Sequence, residues 1–207
     1  MKHVAIGVHL RREDIEPLAT PLAAGDLFFS AVALADDQPL GDRELLLRVA
    51  NIRAELLARA TFIAVRYGYT FAREVDAQQL VRWKRVLEAN QNHVELTLKV
   101  AATSPHARPD RNAFTSGAEY LRALHEATQG ANADPRFREE AERLLLPHAA
   151  RHRWTHRDEK SLELTMLVAR GNVDGLRDAG AELKKSGVPF LLSGPWPLEV
   201  FADADRE

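Results

Sequence analysis

The run HVELTLKVA, from His93 to Ala101, alternates with a period of two. Val94, Leu96, Leu98 and Val100 fall on one side and Glu95, Thr97 and Lys99 on the other, as in a half-buried β-strand. A second run, SLELTMLVAR, turns Leu162, Leu164, Met166 and Val168 inward in the same way. Between such runs the apolar residues recur with the 3.6-residue period of helices. A chain that mixes both periods must bury sheet faces against helix stripes, which restricts it to the α+β or α/β classes.

The order of the segments narrows the choice. Val4, Ile6 and Val8 form a first alternating strand, and DLFFSAVALA (Asp26 to Ala35) a second. DRELLLRVANIRAELLAR then places Leu45, Val49, Ile52 and Leu56 on one helical stripe, widened by Leu46, Ala50 and Leu57, with Asp42 as N-cap. TFIAVRYG predicts a third strand ended by Gly68. A helix opened by Asp76, with Gln79 as capping-box partner, should bury Leu80, Trp83 and Leu87. Residues 1–101 therefore read β-β-α-β-α-β, an α+β domain of ferredoxin-like kind with its helices on one face of the sheet. TSPHARPDRNAF carries two prolines among polar residues, so residues 102–115 are the expected linker.

Residues 116–207 should form a helix-rich α+β C-terminal domain. Ser116 and Glu119 make a capping box ahead of Tyr120, Leu121 and Leu124. Asp134 and Pro135 open another helix, burying Phe137, Ala141, Leu144 and Leu145, and Pro147 breaks it before a further helical segment. After the strand at 161–169 comes the stripe Val173, Leu176, Ala179 and Leu183, closed by Gly187 before a buried strand from Val188 to Leu192. This half reads α-α-β-α-β.

Composition excludes several chemistries. The 207 residues carry a net charge of −2, which recruits neither nucleic acid nor an anionic membrane, and no apolar run reaches membrane-spanning length. Cysteine is absent, which removes disulfides, thiolate catalysis and cysteine-held metals and fits a reducing cytoplasm. MKHVAIGVHL reads as a first strand rather than a signal peptide, because its apolar run is short and lacks a small-residue cleavage site. His148, His152 and His156 would share a helix face, but the third lies too far along to join one ion. Arg151, Arg153 and Arg157 also oppose a cation, so a solvated face is the favoured reading. Arg66 ends one strand, and Glu95 and Lys99 lie on the non-core face of another, so a cross-strand ion pair of Arg66 with Glu95 would be an exposed contact worth about 0.2–1 kcal/mol. There is no phosphate loop, nucleophile elbow or zinc signature, so no cofactor and no enzymatic site is expected.

PFLLSGPWPLEVF, from Pro189 to Phe201, raises the last question. Gly194 gives the chain freedom to turn, while Pro195 and Pro197 stiffen it around Trp196. The expectation is a ring folded back over the sheet end as a mostly buried plug, whose truncation costs about 3–5 kcal/mol.

Four stretches, in order, resemble the gas vesicle protein F/L family. They are FIAVRYGYTF (Phe62 to Phe71), HVELTLKV, SGAEYLR (Ser116 to Arg122) and LSGPWPLEVF. The chain departs from the family's pattern at Ala64 and Val65, where a proline is usual, and at Tyr67, where phenylalanine is. Leu198 and Glu199 stand where Pro-Tyr usually follows. The resemblance makes Arg66, Tyr67, Gly68, Glu95, Lys99, Tyr120, Gly194, Pro195, Trp196 and Pro197 the motif and interaction candidates. It also implies a non-enzymatic, cytoplasmic accessory protein that binds the gas vesicle shell protein and other accessory proteins. The rivals are an enzyme or haem-type binder on a duplicated ferredoxin-like scaffold, favoured by a buried histidine beside an apolar pocket, and a family member recruited to a role without gas vesicles.

Overall fold

The computed structural model describes residues 2–35, 38–69, 75–101, 110–129, 135–158 and 161–203. The chain is α+β, with two four-stranded sheets among the described residues. It divides into two compact units, Met1–Glu95 with Pro195–Glu207, and Leu96–Gly194. The expected boundary at 102–115 lies largely outside the described residues. The two units divide at residues 95/96 and 194/195, each inside a strand.

In the first unit, β1 (Lys2–His9), β2 (Thr20–Ala24), β3 (Leu27–Leu34) and β4 (Ile63–Ala64) form a sheet in the order β2-β3-β1-β4. β1 pairs antiparallel with β3 and β4, and β2 pairs antiparallel with β3. Helix α1 (Arg43–Arg59) begins where its cap was expected: the Asp42 carboxylate accepts the Leu45 N–H at 2.9 Å. Its Leu45, Val49 and Leu56 join Val4, Ile6, Val32, Leu34 and Phe62 in one apolar cluster. Phe29, on the alternate face of β3, meets Trp83 of α2 (Ala77–Ala89) edge-on at 6.0 Å. The helices thus cover both faces of β3, where the sequence places them on one. This is why LFFSAVAL is almost continuously apolar.

Three local expectations change here. β2, with Pro21 and no apolar alternation, was not anticipated; it survives as an edge strand, where a proline loses no needed ladder bond. The third strand shrinks to Ile63–Ala64. Beyond it the chain follows β1 irregularly through Val65 N–H to Ile6 O at 3.2 Å and Ala5 N–H to Tyr69 O at 3.0 Å. Asp76 does cap α2, but through the Gln78 N–H, while the Gln79 side chain accepts from Arg82. Leu80 and Trp83 are half-buried, and Val86 joins Leu87 as fully buried.

The second unit is built on β5 (His93–Ala101), β6 (Arg151–Asp158), β7 (Ser161–Ala169) and β8 (Phe190–Trp196), in the order β6-β7-β5-β8. Helices α3 (Gly117–Gln129), α4 (Pro135–Leu145) and α5 (Val173–Leu183) accompany it. Ser116 caps α3 by accepting the Glu119 N–H at 3.1 Å. The expected cap Asp134 lies outside the described residues. Phe137, Ala141 and Leu145 are buried on α4, and Phe137 packs on Phe190 of β8 at 5.9 Å.

The helical segment expected after Pro147 is a correction. Leu146–His148 form one 3-10 turn, and Arg151–Asp158 then pair antiparallel with β7 as a hairpin. Trp154 lies opposite Leu164, and its indole N–H reaches Glu142 of α4 at 2.8 Å. Local spacing favoured a helix face; cross-strand pairing with an apolar neighbour overrides it. His148 therefore sits in a turn and His152 and His156 on a strand, not on one helix face.

Candidate functional site

The C-terminal segment is where the motif residues gather. β8 runs through Gly194 and Pro195 to Trp196, so the motif lies inside the last strand rather than after it. An edge strand tolerates this proline, and Gly194 has φ 121, a backbone that a side chain would strain. After Trp196 the chain joins the first unit. Leu198 donates its N–H to Phe62 O at 2.9 Å, accepts from the Ala64 N–H at 2.9 Å, and bridges parallel to Ile63. A single turn of helix, α6 (Val200–Asp203), follows.

Glu95 secures that turn. Its Oε1 accepts the N–H groups of Glu199 and Phe201, both at 2.9 Å, and its Oε2 that of Val200 at 3.1 Å. The residue is 2 % exposed. Burial pushes the carboxyl above the ordinary glutamate range, and the three backbone donors pull it partly back. Alternation along β5 had placed Glu95 on the non-core face with Lys99, ready to pair with Arg66. It pairs with backbone instead, and Lys99 reaches Glu163 of β7 at 3.2 Å.

The expected plug is also corrected. Trp196 is 48 % exposed, while Pro197 and Leu198 are buried. The reason is steric order: the two residues after the ring enter the core, and the ring remains at the strand end. The final strand as a whole is half-buried, with Leu191 59 % exposed, because it is a sheet edge rather than a central strand.

The remaining candidates occupy separate places. Tyr67 donates its hydroxyl to Leu40 O at 2.6 Å and packs on the first unit's core. Burial, and then the Asp42 carboxylate, raise its pKa. Gly68, at φ 91, lies against Leu40, and Arg66 is exposed. Tyr120 is half-buried on α3, edge-on to Phe114 at 5.9 Å. Tyr67, Gly68 and Glu95 thus act as braces, whereas Arg66 and Trp196 present surface.

A buried histidine escaped the sequence reading. His9 is fully buried, stacked on Phe62 at 4.9 Å, with Nε2 3.0 Å from Ser30 Oγ. Ser30 donates its hydroxyl to Gly7 O at 3.3 Å, so His9 Nε2 carries the proton given to the serine oxygen. Burial lowers the His9 pKa to about 3, leaving the imidazole neutral. The only available signal was a histidine continuing the apolar alternation of Val4 to Val8. Its ring is packed by Phe62 and bound by Ser30, an arrangement that serves the core. Among the described residues, no three His, Asp or Glu side chains converge as a metal site, and no helix is long and apolar enough to cross a membrane.

Comparison with known proteins follows the same direction. No curated protein matches the sequence. The crystal structure of the gas vesicle protein GvpF from Anabaena sp. PCC7120 is similar in fold, with a TM-score of 0.68 at 10 % identity, over 98 % of this chain and 96 % of that one. That of GvpF from Microcystis aeruginosa gives 0.72 at 11 % identity, over 97 % and 98 %. At such identities the likeness establishes the fold alone. Family membership comes from the sequence: residues 19–202 match the family described as gas vesicle synthesis protein GvpL/GvpF, and the chain belongs to that family.

Proposed function

We propose that this protein is a cytoplasmic, gas vesicle-associated accessory protein. It assists nucleation or assembly of the shell by holding the shell protein and other accessory proteins, without catalysis. The observation that carries the reading is the family match, which spans nearly the whole chain. Surface chemistry supports it. A subunit destined for an apolar wall exposes apolar surface before assembly, and a helper needs apolar surface to cover it. Leu46 and Leu47 stand 42 % and 54 % exposed on α1, and Leu121 of α3 is 63 % exposed.

We assign Trp196 a contact role on the same grounds. A half-exposed ring contributes less to folding than a core ring, so Trp196→Ala should cost below about 2 kcal/mol. Equilibrium unfolding, run beside co-purification with the co-expressed shell protein, tests this. Near-native stability with weakened capture is the expected result; a loss above about 3 kcal/mol would restore the plug reading. For the function itself, deleting the gene in a vesicle-forming host should abolish or stunt vesicles seen by electron microscopy. Normal vesicles in the deletion strain, together with no capture of shell protein, would sink the proposal.

A further inference from the structure

The second unit's sheet ends in two edge strands of opposite character. β6 carries Arg151 and Arg153, and such charges on an edge deter another strand from adding. β8 carries no charge between Phe190 and Ser193, and its Leu191 is 59 % exposed. Beside it α5 forms the second wall of a groove lined by Arg177, Gly180, Ala181 and Lys184, with Phe190, Leu191 and Leu192 contributed by the strand. The wall is low because Gly180 lets the helix press close: a Cβ there would lie 2.7 Å from Leu192 Cδ2. The floor and the strand side are apolar, and the helix side carries a cation at each end.

The two cations are spaced for an extended chain. Arg177 lies on α5 and Lys184 seven residues later, where α5 passes into a 3-10 turn, hence about 10.5 Å along the helix axis. Residues on one face of a strand recur about every 7 Å, so two that are four positions apart span about 14 Å, within reach of long side chains. Arg177 has weak company in Asp174 at 3.5 Å, whose side chain is 94 % exposed, and in Gly194 O at 3.4 Å. Lys184 makes no ion pair among the described residues; its neighbour Lys185 takes Glu182. Gly194 and Pro195 then limit ladder pairing to the first part of β8, since proline has no N–H to offer.

We propose that this groove takes an extended segment of a partner polypeptide by strand addition to β8. The segment has the pattern acidic–x–apolar–x–acidic, with its apolar residue over Gly180 and Ala181 and its carboxylates on Arg177 and Lys184. The inference rests on the helper reading in one respect only, that the segment belongs to a gas vesicle partner. Backbone bonds to β8 supply general affinity, while the rim cations select against basic segments.

The test uses the full chain, labelled with nitrogen-15, and two blocked peptides. One is Thr-Glu-Val-Leu-Val-Glu-Thr and the other has lysine in place of both glutamates. The acidic peptide should shift the amide signals of Leu191, Leu192 and Gly180, and the basic one should bind about tenfold more weakly. The double variant Arg177→Glu with Lys184→Glu should invert that preference, and Ala181→Trp, which fills the groove without changing charge, should remove binding of both. Equal binding of the two peptides, shifts confined to other surfaces, or no binding overturns the proposal. Shell-protein capture is read separately. If wild type fails to capture it, the helper reading falls and the peptides still judge the groove. If the double variant captures as well as wild type, the helper reading stands and the groove is not where the shell protein binds.

Discussion

Two buried ionisable residues, Glu95 and His9, have opposite relations to their surroundings, and each yields a measurable consequence. Glu95 satisfies three backbone donors with two oxygens. Glu95→Gln keeps the volume but turns an amide N–H₂ towards one of those donors, so it should cost about 2–3 kcal/mol in urea unfolding, and Glu95→Ala at least as much. A change below about 0.5 kcal/mol would mean that water replaces the carboxylate without loss. His9 responds to pH instead. Its folded pKa of about 3 lies below the ordinary 6.5, so the unfolded chain binds the extra proton. Stability from the neutral ring is therefore complete above 6.5 and falls as pH drops towards 3. Between about pH 7.5 and about pH 5 the loss should be roughly 2 kcal/mol, and His9→Asn should flatten that part of the profile. An unchanged profile in the variant would assign the slope to other groups.

At the scale of elements, what could be read from the sequence was what local chemistry decides. The alternation of β5 and β7, the Asp42 cap of α1 and the Ser116 cap of α3 all depend on residues within a few positions of one another. β6 was misread because the positions paired with Met166, Leu164 and Leu162 are His152, Trp154 and His156, which carry no apolar alternation; β7 makes them a strand. Glu95 was misplaced because its partners lie 104 to 106 positions later. Trp196 was misjudged because proline stiffness fixes a backbone, not the side on which the core lies. The same limit hid the irregularity in β1, where the register with β3 shifts between Ala5 and Gly7. There the strand approaches Phe62 so closely that a Cβ on Gly7 would collide with the ring and lie 3.1 Å from Ile63 O. Gly7→Ala should consequently destabilise by about 1–3 kcal/mol, since neither a buried ring nor a ladder carbonyl yields cheaply. Thermal unfolding measures it, and an unchanged midpoint would show that β1 can give way.

For the whole molecule, the consequential feature is that the chain returns to its first unit at the end. Leu198, Phe201 and Ala202 are 0 %, 3 % and 8 % exposed and belong with residues 1–95, whereas residues 96–194 form the other unit. Such closure keeps the first unit's apolar residues covered, because an unclosed first unit would expose them. The arrangement predicts an asymmetric response to truncation. Ending the chain after Trp196 leaves β8 whole but removes Leu198 from Phe62 and Ala64, strips Glu95 of its three donors and opens the core that Phe201 covers. The combined loss is of the order of several kcal/mol, a large share of a domain's stability. Hydrogen exchange on the truncated chain should therefore show β1, β3 and α1 losing protection while β6, β7 and α5 retain theirs. Equal loss across both sets would mean that the two units unfold as one, and that the C-terminal return does not act on the first unit alone.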